Sequence, residues 1–384
     1  MKKIYLDYAA TTQVDPRVVK AMLPYFTQRY GNTMSLHKSG RDAALIMEKS
    51  REIVASLINS QTNEIIFTSS ATESNNTVLK GLAFANSGRK SHLIISSIEH
   101  DCVLESASWL EKQGFEVTRL SVNKTGFINL EELRKAIKKE TFLVSIIHGN
   151  NEIGTIQDIE AIGKICHEKN VLFHTDASQS LGKVNINVKK MNIDLLTASS
   201  HKIYGPKGAA CLYKKEGIII QPLLHGGGHE MGLRSSTSNV AAIVGFAEAC
   251  QILKNEGKKE NTRLIKLRNL LIDGILKSIK RTHLNGPKEK RLSNNVNISF
   301  RGVEGESLTM ELDFNGVEVS TGSACSSRTL VPSHVLTAIG LPPEEAHGSI
   351  RFSLGRWTKE EDIIKTIEVL KKVVAKLRKF SPYG

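Results

Sequence analysis

The sequence predicts an α/β protein: a large domain on a mostly parallel seven-stranded sheet, with a smaller α+β domain beside it. Three observations predict this. The chain has 384 residues, 40% of them hydrophobic, enough for a large core and two domains at roughly 100–200 residues each. Short β-rich runs alternate with amphipathic helical patterns through the first two-thirds. Near residue 255 that alternation gives way to a different pattern.

The predicted strands are EIIFTS (64–69), HLIISS (92–97), FEVTRLSV (115–122), FLVSIIHG (142–149), VLFHTDAS (171–178), DLLTAS (194–199) and AACLYK (209–214). Between them lie amphipathic stretches such as LEELRKAIKK (130–139) and IEAIGKICHEKN (159–170). Strands that alternate with helices build a parallel sheet covered on both faces. After the polar run KNEGKKEN, LIKLRNLLIDGILKSI (264–279) has apolar residues at helical spacing. Strands VNISF (296–300), VEVST (317–321) and SIRFSL (349–354) follow. A closing helix then opens at Thr358, with Glu361 in capping-box position. The division places 15–255 in the large domain, and 1–14 with 256–384 in the small one.

Composition narrows the functional classes. No apolar run reaches the ~18–20 residues that span a bilayer, and MKKIYLDYAATT has no apolar segment of signal-peptide length, so a soluble, cytoplasmic protein is expected. Cys102, Cys166, Cys211, Cys250 and Cys325 are scattered and odd in number, which suits a reducing compartment better than a disulfide framework. The formal charge of +13 is spread in lysine pairs without interleaved aromatics. That reads as solvated surface suited to an acidic protein partner, with no direct nucleic-acid binding and no membrane.

In α/β sheets, ligands collect at the carboxyl ends of the strands. SATESNN follows the first predicted strand, with Ser70 and Glu73 spaced to cap a helix whose start suits a phosphate. His100 follows the second strand, Asn150 and Asn151 the FLVSIIHG strand, and Asp176 ends VLFHTD, with Gln179 three residues on. TASSHKIYGPKG (197–208) places Lys202 and Lys207 five residues apart. Each has an ordinary structural reading as a cap, a turn or a solvated side chain. Together they match the needs of pyridoxal phosphate: an amine for the Schiff base, a carboxylate for the pyridinium proton and donors for phosphate. HGGGH (225–229) spaces two histidines as a helical metal pair would, but three glycines argue for a turn, and no metal site is expected in the isolated protein.

IEH (98–100), NNEIGT (150–155), HTDASQ (174–179), SSHKIYGPKG (199–208), HGGGHEMGLRSST (225–237) and STGSACSS (320–327) lie in an order and spacing that resemble the cysteine desulfurases. These belong to the class-V aminotransferase family of pyridoxal phosphate fold type I, with an aspartate aminotransferase-like fold. The resemblance runs from YLDYAATT (5–12) to the final helix. It implies that Lys202 bonds the cofactor, whereas Lys207 sits in a solvated turn. It implies further that Asp176 pairs with the ring nitrogen and Gln179 with the ring oxygen, and that His100 stacks on the ring and moves protons. Ala71, Thr72, Ser199 and His201 would hold the phosphate, with Thr237 supplied across a homodimer. Asn151 lies at the cofactor and, with Arg351, would clamp the substrate carboxylate. Ser236 departs from the usual glycine of this family.

The resemblance also makes Cys325 the acceptor of sulfur from L-cysteine, forming a persulfide and releasing alanine. Its setting, small and polar, differs from that of the other four cysteines, which read as packing. The stretch after Cys325 is similar to the long-loop branch of the family. That implies delivery to an iron–sulfur scaffold protein, with tRNA-thiolation proteins as a second class of acceptor and Cys325 as a candidate ligand shared with a nascent cluster. Two alternatives are a selenocysteine lyase and a catalytically silent scaffold of the same fold. Retention of Lys202, Asp176, His100 and Cys325 together argues against the silent one.

Overall fold

A computed structural model describes residues 3–322 and 332–380. Among the described residues twelve strands follow one another: β1 Ile4–Tyr5, β2 Ile65–Thr68, β3 His92–Ser96, β4 Glu116–Leu120, β5 Thr141–Ser145, β6 Leu172–Asp176, β7 Leu195–Ser199, β8 Ala210–Lys214, β9 Thr282–Leu284, β10 Asn295–Phe300, β11 Val317–Glu318 and β12 Ser349–Ser353.

The seven strands expected from the first two-thirds form one sheet, ordered β2-β8-β7-β6-β5-β3-β4. Only β8 runs against the rest, antiparallel to both β2 and β7. The carboxyl ends of β2, β3, β6 and β7 therefore share one edge. β3, β5 and β7 are buried at every position, as strands covered on both faces must be. One core lies on one face, around Phe67, Val144, Phe173 and Ile162. Another lies on the opposite face, around Leu79, Leu93, Leu143 and Leu212.

The remainder is built on β12-β10-β9, an antiparallel sheet, beside the parallel pair β1-β11. Its core joins Leu6 near the start of the chain to Leu271, Phe352 and Leu370. β1 thus brings the first residues of the chain back onto the C-terminal part.

Two elements differ from expectation. One helix, Val240–Ser278, runs for 39 residues through position 255, where the pattern changes. KNEGKKEN is polar because Lys254, Asn255, Glu256, Lys258 and Lys259 face solvent, while Glu260 turns inward to Arg356 and Tyr204. Its lysines and glutamates are good helix formers, and one Gly257 costs only about 1 kcal/mol. At the closing helix, Glu360–Phe380, Glu361 does not complete the capping box. Asp362 Oδ2 accepts from Lys359 N at 2.9 Å, while Thr358 Oγ1 accepts from Gly355 N at 2.9 Å. Among the described residues no helix is long and apolar enough to cross a membrane.

Candidate active site

The chain turns at residues 197–202 because β7 ends at Ser199 and one turn of 3-10 helix, Ser200–Lys202, follows. This turn aims Lys202 back at the start of the chain. Its Nζ donates to Ala9 O at 2.6 Å and Ala10 O at 2.8 Å. Gln179 Nε2 donates to the same Ala9 carbonyl at 2.8 Å, so the two side chains converge. Burial lowers the Lys202 amine to about 8; Arg351 and Lys183 push the same way, and Asp7 and Asp176 oppose. The result is an amine more readily freed of its proton than a solvated lysine. Lys207 is exposed.

His201 leaves its carbonyl to Thr12, whose N and Oγ1 donate at 3.1 and 2.9 Å. Its ring Nδ1 lies 3.1 Å from Thr11 Oγ1. Burial, aided by Lys202 and Lys207, lowers the ring to about 4, so it is neutral.

Asp176 closes β6 and is buried. Its Oδ1 accepts from Ser178 N at 2.8 Å and its Oδ2 from Asn75 Nδ2 at 2.7 Å. Each oxygen keeps a lone pair for another donor. Asn75 lies in the helix Ala71–Ala85, which Ser70 caps by accepting from Glu73 N at 3.1 Å. The capping box is only half formed. Glu73 Oε2 turns to Ser69 N at 2.9 Å, and Glu73 Oε1 takes Arg234 Nε at 2.8 Å. The N–H groups of Ala71 and Thr72 have no intrahelical acceptor.

His100 caps the helix Asp101–Lys112. Its Nδ1 accepts from Cys102 N at 3.2 Å and lies 3.2 Å from Cys102 Sγ. Burial, reinforced by Asp176, pushes the Cys102 thiol up to about 12, so it stays S–H and also donates to Nδ1. Nδ1 is therefore the acceptor, and the ring carries its proton on Nε2. Asn75 Nδ2 reaches Cys102 Sγ at 3.2 Å as well.

Arg351, on β12, is 2% exposed and lies across the site from β6 and β7. Its Nη2 pairs with Asp7 Oδ1 at 2.9 Å and its Nη1 donates to the Asn151 carbonyl at 3.3 Å. Nε is buried without a partner among the described residues. Asn151 meets Arg351 through its backbone rather than its side chain. Thr237 stands exposed in the loop that Arg234 ties to Glu73, and it makes no contact with Lys202 or Asp176 among the described residues. Cys325 lies outside those residues.

The residues present suit pyridoxal phosphate. A desolvated amine, a buried carboxylate with spare acceptor capacity, a helix start with free N–H groups and a buried guanidinium with an unpaired N–H all converge. Sequence reading missed Asn75, Cys102 and the Ala9 and Ala10 carbonyls. Asn75 lies one helical turn after Ala71, on the face that the phosphate-type start turns inward, and that spacing is the signal that could have found it.

The aminotransferase class-V family model matches residues 4–365. A cysteine desulfurase IscS from Dictyoglomus turgidum is 49% identical over 382 residues, covering 100% of this chain and 97% of the relative. Among solved structures, a NifS-like protein superposes with a TM-score of 0.92 at 39% identity, covering 97% of this chain and 100% of its own. SspA in complex with cysteine superposes with a TM-score of 0.83 at 38% identity, covering 91% of this chain and 98% of its own.

Proposed function

The chain belongs to the class-V aminotransferase family and is a pyridoxal phosphate-dependent cysteine desulfurase, and from that premise we propose how its residues divide the work. The observation that carries the assignment is the desolvated Lys202 amine, held on the Ala9 and Ala10 carbonyls within the fields of Arg351 and Asp176. Lys202 is the amine that would bond the cofactor, and its lowered proton affinity suits it to take a proton from the substrate α-carbon. Asp176 would hold the proton on the ring nitrogen, Asn75 and Ser178 N keep its carboxylate in place, and Gln179 would donate to the ring oxygen. When bound, the cofactor supplies an electron sink for charge developing at the substrate α-carbon.

Ala71, Thr72, Ser199 and His201 would hold the phosphate. His100 would stack on the ring and exchange protons at Nε2, the nitrogen its helix cap leaves free. Arg351 takes the substrate carboxylate through its unpaired Nε, beside Asn151. The Cys325 thiolate attacks the sulfur of L-cysteine. The new S–S bond leaves a persulfide on Cys325. The electron pair of the broken C–S bond stays with carbon, which takes up a proton and leaves as alanine. Neutral Cys102, close to the ring but held as S–H, is not that nucleophile.

The physiological setting belongs to the same proposal: a cytoplasmic homodimer that completes each phosphate site with the partner's Thr237. It hands sulfur to an iron–sulfur scaffold protein and to tRNA-thiolation proteins. The exposure of Thr237 and of apolar Phe26, Tyr30 and Leu36 supports the dimer.

Lys202→Ala is expected to abolish the cofactor's lysine-bound absorbance, and Cys325→Ala to keep it while sulfide release from L-cysteine stops. Mass spectrometry after exposure to L-cysteine should find one added sulfur atom on Cys325. Normal turnover by the Cys325 variant would overturn the persulfide route.

A further inference from the structure

Asp7 follows β1 and is held in register by its backbone. Leu6 N donates to Glu318 O at 2.8 Å, Ser353 N donates to Leu6 O at 2.7 Å, and Asp7 bridges Ser353. This fixes its carboxylate against Arg351, whose own backbone is locked to Ser320 at 2.7 Å. The Asp7 side chain is 18% exposed, against 2% for Arg351. Asp7 Oδ1 takes Arg351 Nη2 at 2.9 Å, and Oδ2 has no partner among the described residues. Two and three residues on, Ala9 and Ala10 receive the Lys202 ammonium. The Asp7 carboxylate and the Arg351 guanidinium are thus held against each other, each with one group left over, and both act electrostatically on the Lys202 amine.

We propose that Asp7 is a substrate-specificity residue that, with Arg351, forms a paired site for the zwitterion of an α-amino acid: Arg351 takes the carboxylate and Asp7 the ammonium. This rests on the function proposed above. Charge arithmetic carries it. Arg351 alone would attract any carboxylate. Paired with Asp7 it is already neutralised, so a carboxylate that arrives without a cation leaves a net negative charge in a poorly solvated site. A zwitterion brings the compensating charge, and all four groups are then paired. In an α-amino acid one carbon separates ammonium from carboxylate, so the charges that receive them must be adjacent, as Asp7 and Arg351 are. The same contact brings the amino group to Lys202 before it bonds the cofactor.

The test is equilibrium binding to the cofactor-loaded protein. L-alanine is followed by the change it causes in cofactor absorbance, and propionate, its desamino analogue, by displacement of L-alanine. Asp7→Asn keeps the shape and an acceptor for Arg351 Nη2 but removes the charge. It is expected to weaken L-alanine about tenfold and to tighten propionate about tenfold, the scale of one charge-assisted contact. Asp7→Glu, which restores the charge, is expected to recover the preference for L-alanine. Parallel weakening of both ligands would reduce Asp7 to a support for Arg351 and overturn the inference. So would unchanged affinities. A loaded wild-type protein whose spectrum responds to neither L-alanine nor L-cysteine would instead overturn the desulfurase assignment, and this inference with it.

Discussion

Burial does most of the electrostatic tuning around Lys202, and one neighbour of the site shows this apart from catalysis. Glu99 is fully buried beside His100. Its Oε1 accepts from Ile147 N at 2.8 Å and from Ser96, and Oε2 has no partner among the described residues. Desolvation pushes its carboxyl up to about 8, with Asp176 adding to the shift. The folded protein therefore keeps a proton that the unfolded chain releases near 4.5. The stability this contributes is complete below about 4.5 and is lost as pH rises through 8. Glu99→Gln should thus gain on the wild type between pH 5.5 and 8 by at most about 3 kcal/mol, measured by urea unfolding at the two values. A gap that stays constant with pH would show that Glu99 is ionised throughout. At this scale the sequence was informative wherever chemistry dictates residue type. Lys202, Asp176, Gln179 and Arg351 stood out as functional groups at strand ends or in recognisable segments. Asp7 and Asn75 did not, because what they do depends on which distant side chain they face. Nothing local in YLDYAATT indicates a guanidinium 344 positions away.

Elements are placed by backbone contact as much as by side chains. The helix Ile159–Glu168 packs so closely on the turn before β7 that a Cβ at Gly163 would lie 2.0 Å from Met191 O. Neither the helix interior nor the carbonyl can yield without moving β7, which leads through Ser199 into the turn that carries Lys202. Gly163→Ala is expected to destabilise the fold by about 3 kcal/mol, seen as a lowered thermal midpoint. Alternation of strand and helix was legible because each sheet strand is a short, strongly apolar run. The long helix was not, because its polar stretch 254–261 reads like a boundary when burial is unknown. The capping box at Thr358 failed for a related reason: Asp362, one residue beyond Glu361, has the better reach to Lys359 N.

At the scale of the molecule, exposed apolar residues cluster early in the chain: Leu23, Phe26, Tyr30, Met34 and Leu36 are each more than half exposed. A run of this kind signals a contact surface. Sedimentation equilibrium is expected to give twice the 42.3 kDa chain mass, and Leu36→Asp with Phe26→Asp to shift it toward monomer with loss of bound cofactor. A monomeric wild type that retains the cofactor would refute the shared site.

The helix Val240–Ser278 contributes Phe246 and Ile252 to the interior beside the seven-stranded sheet, and Leu264 and Leu271 to the interior behind β10 and β12. Neither half owns a complete wall of its own. Cutting the polypeptide at the polar middle of this rod would strip a side from both interiors at once. Heating should accordingly melt the two halves together, in one calorimetric peak rather than two.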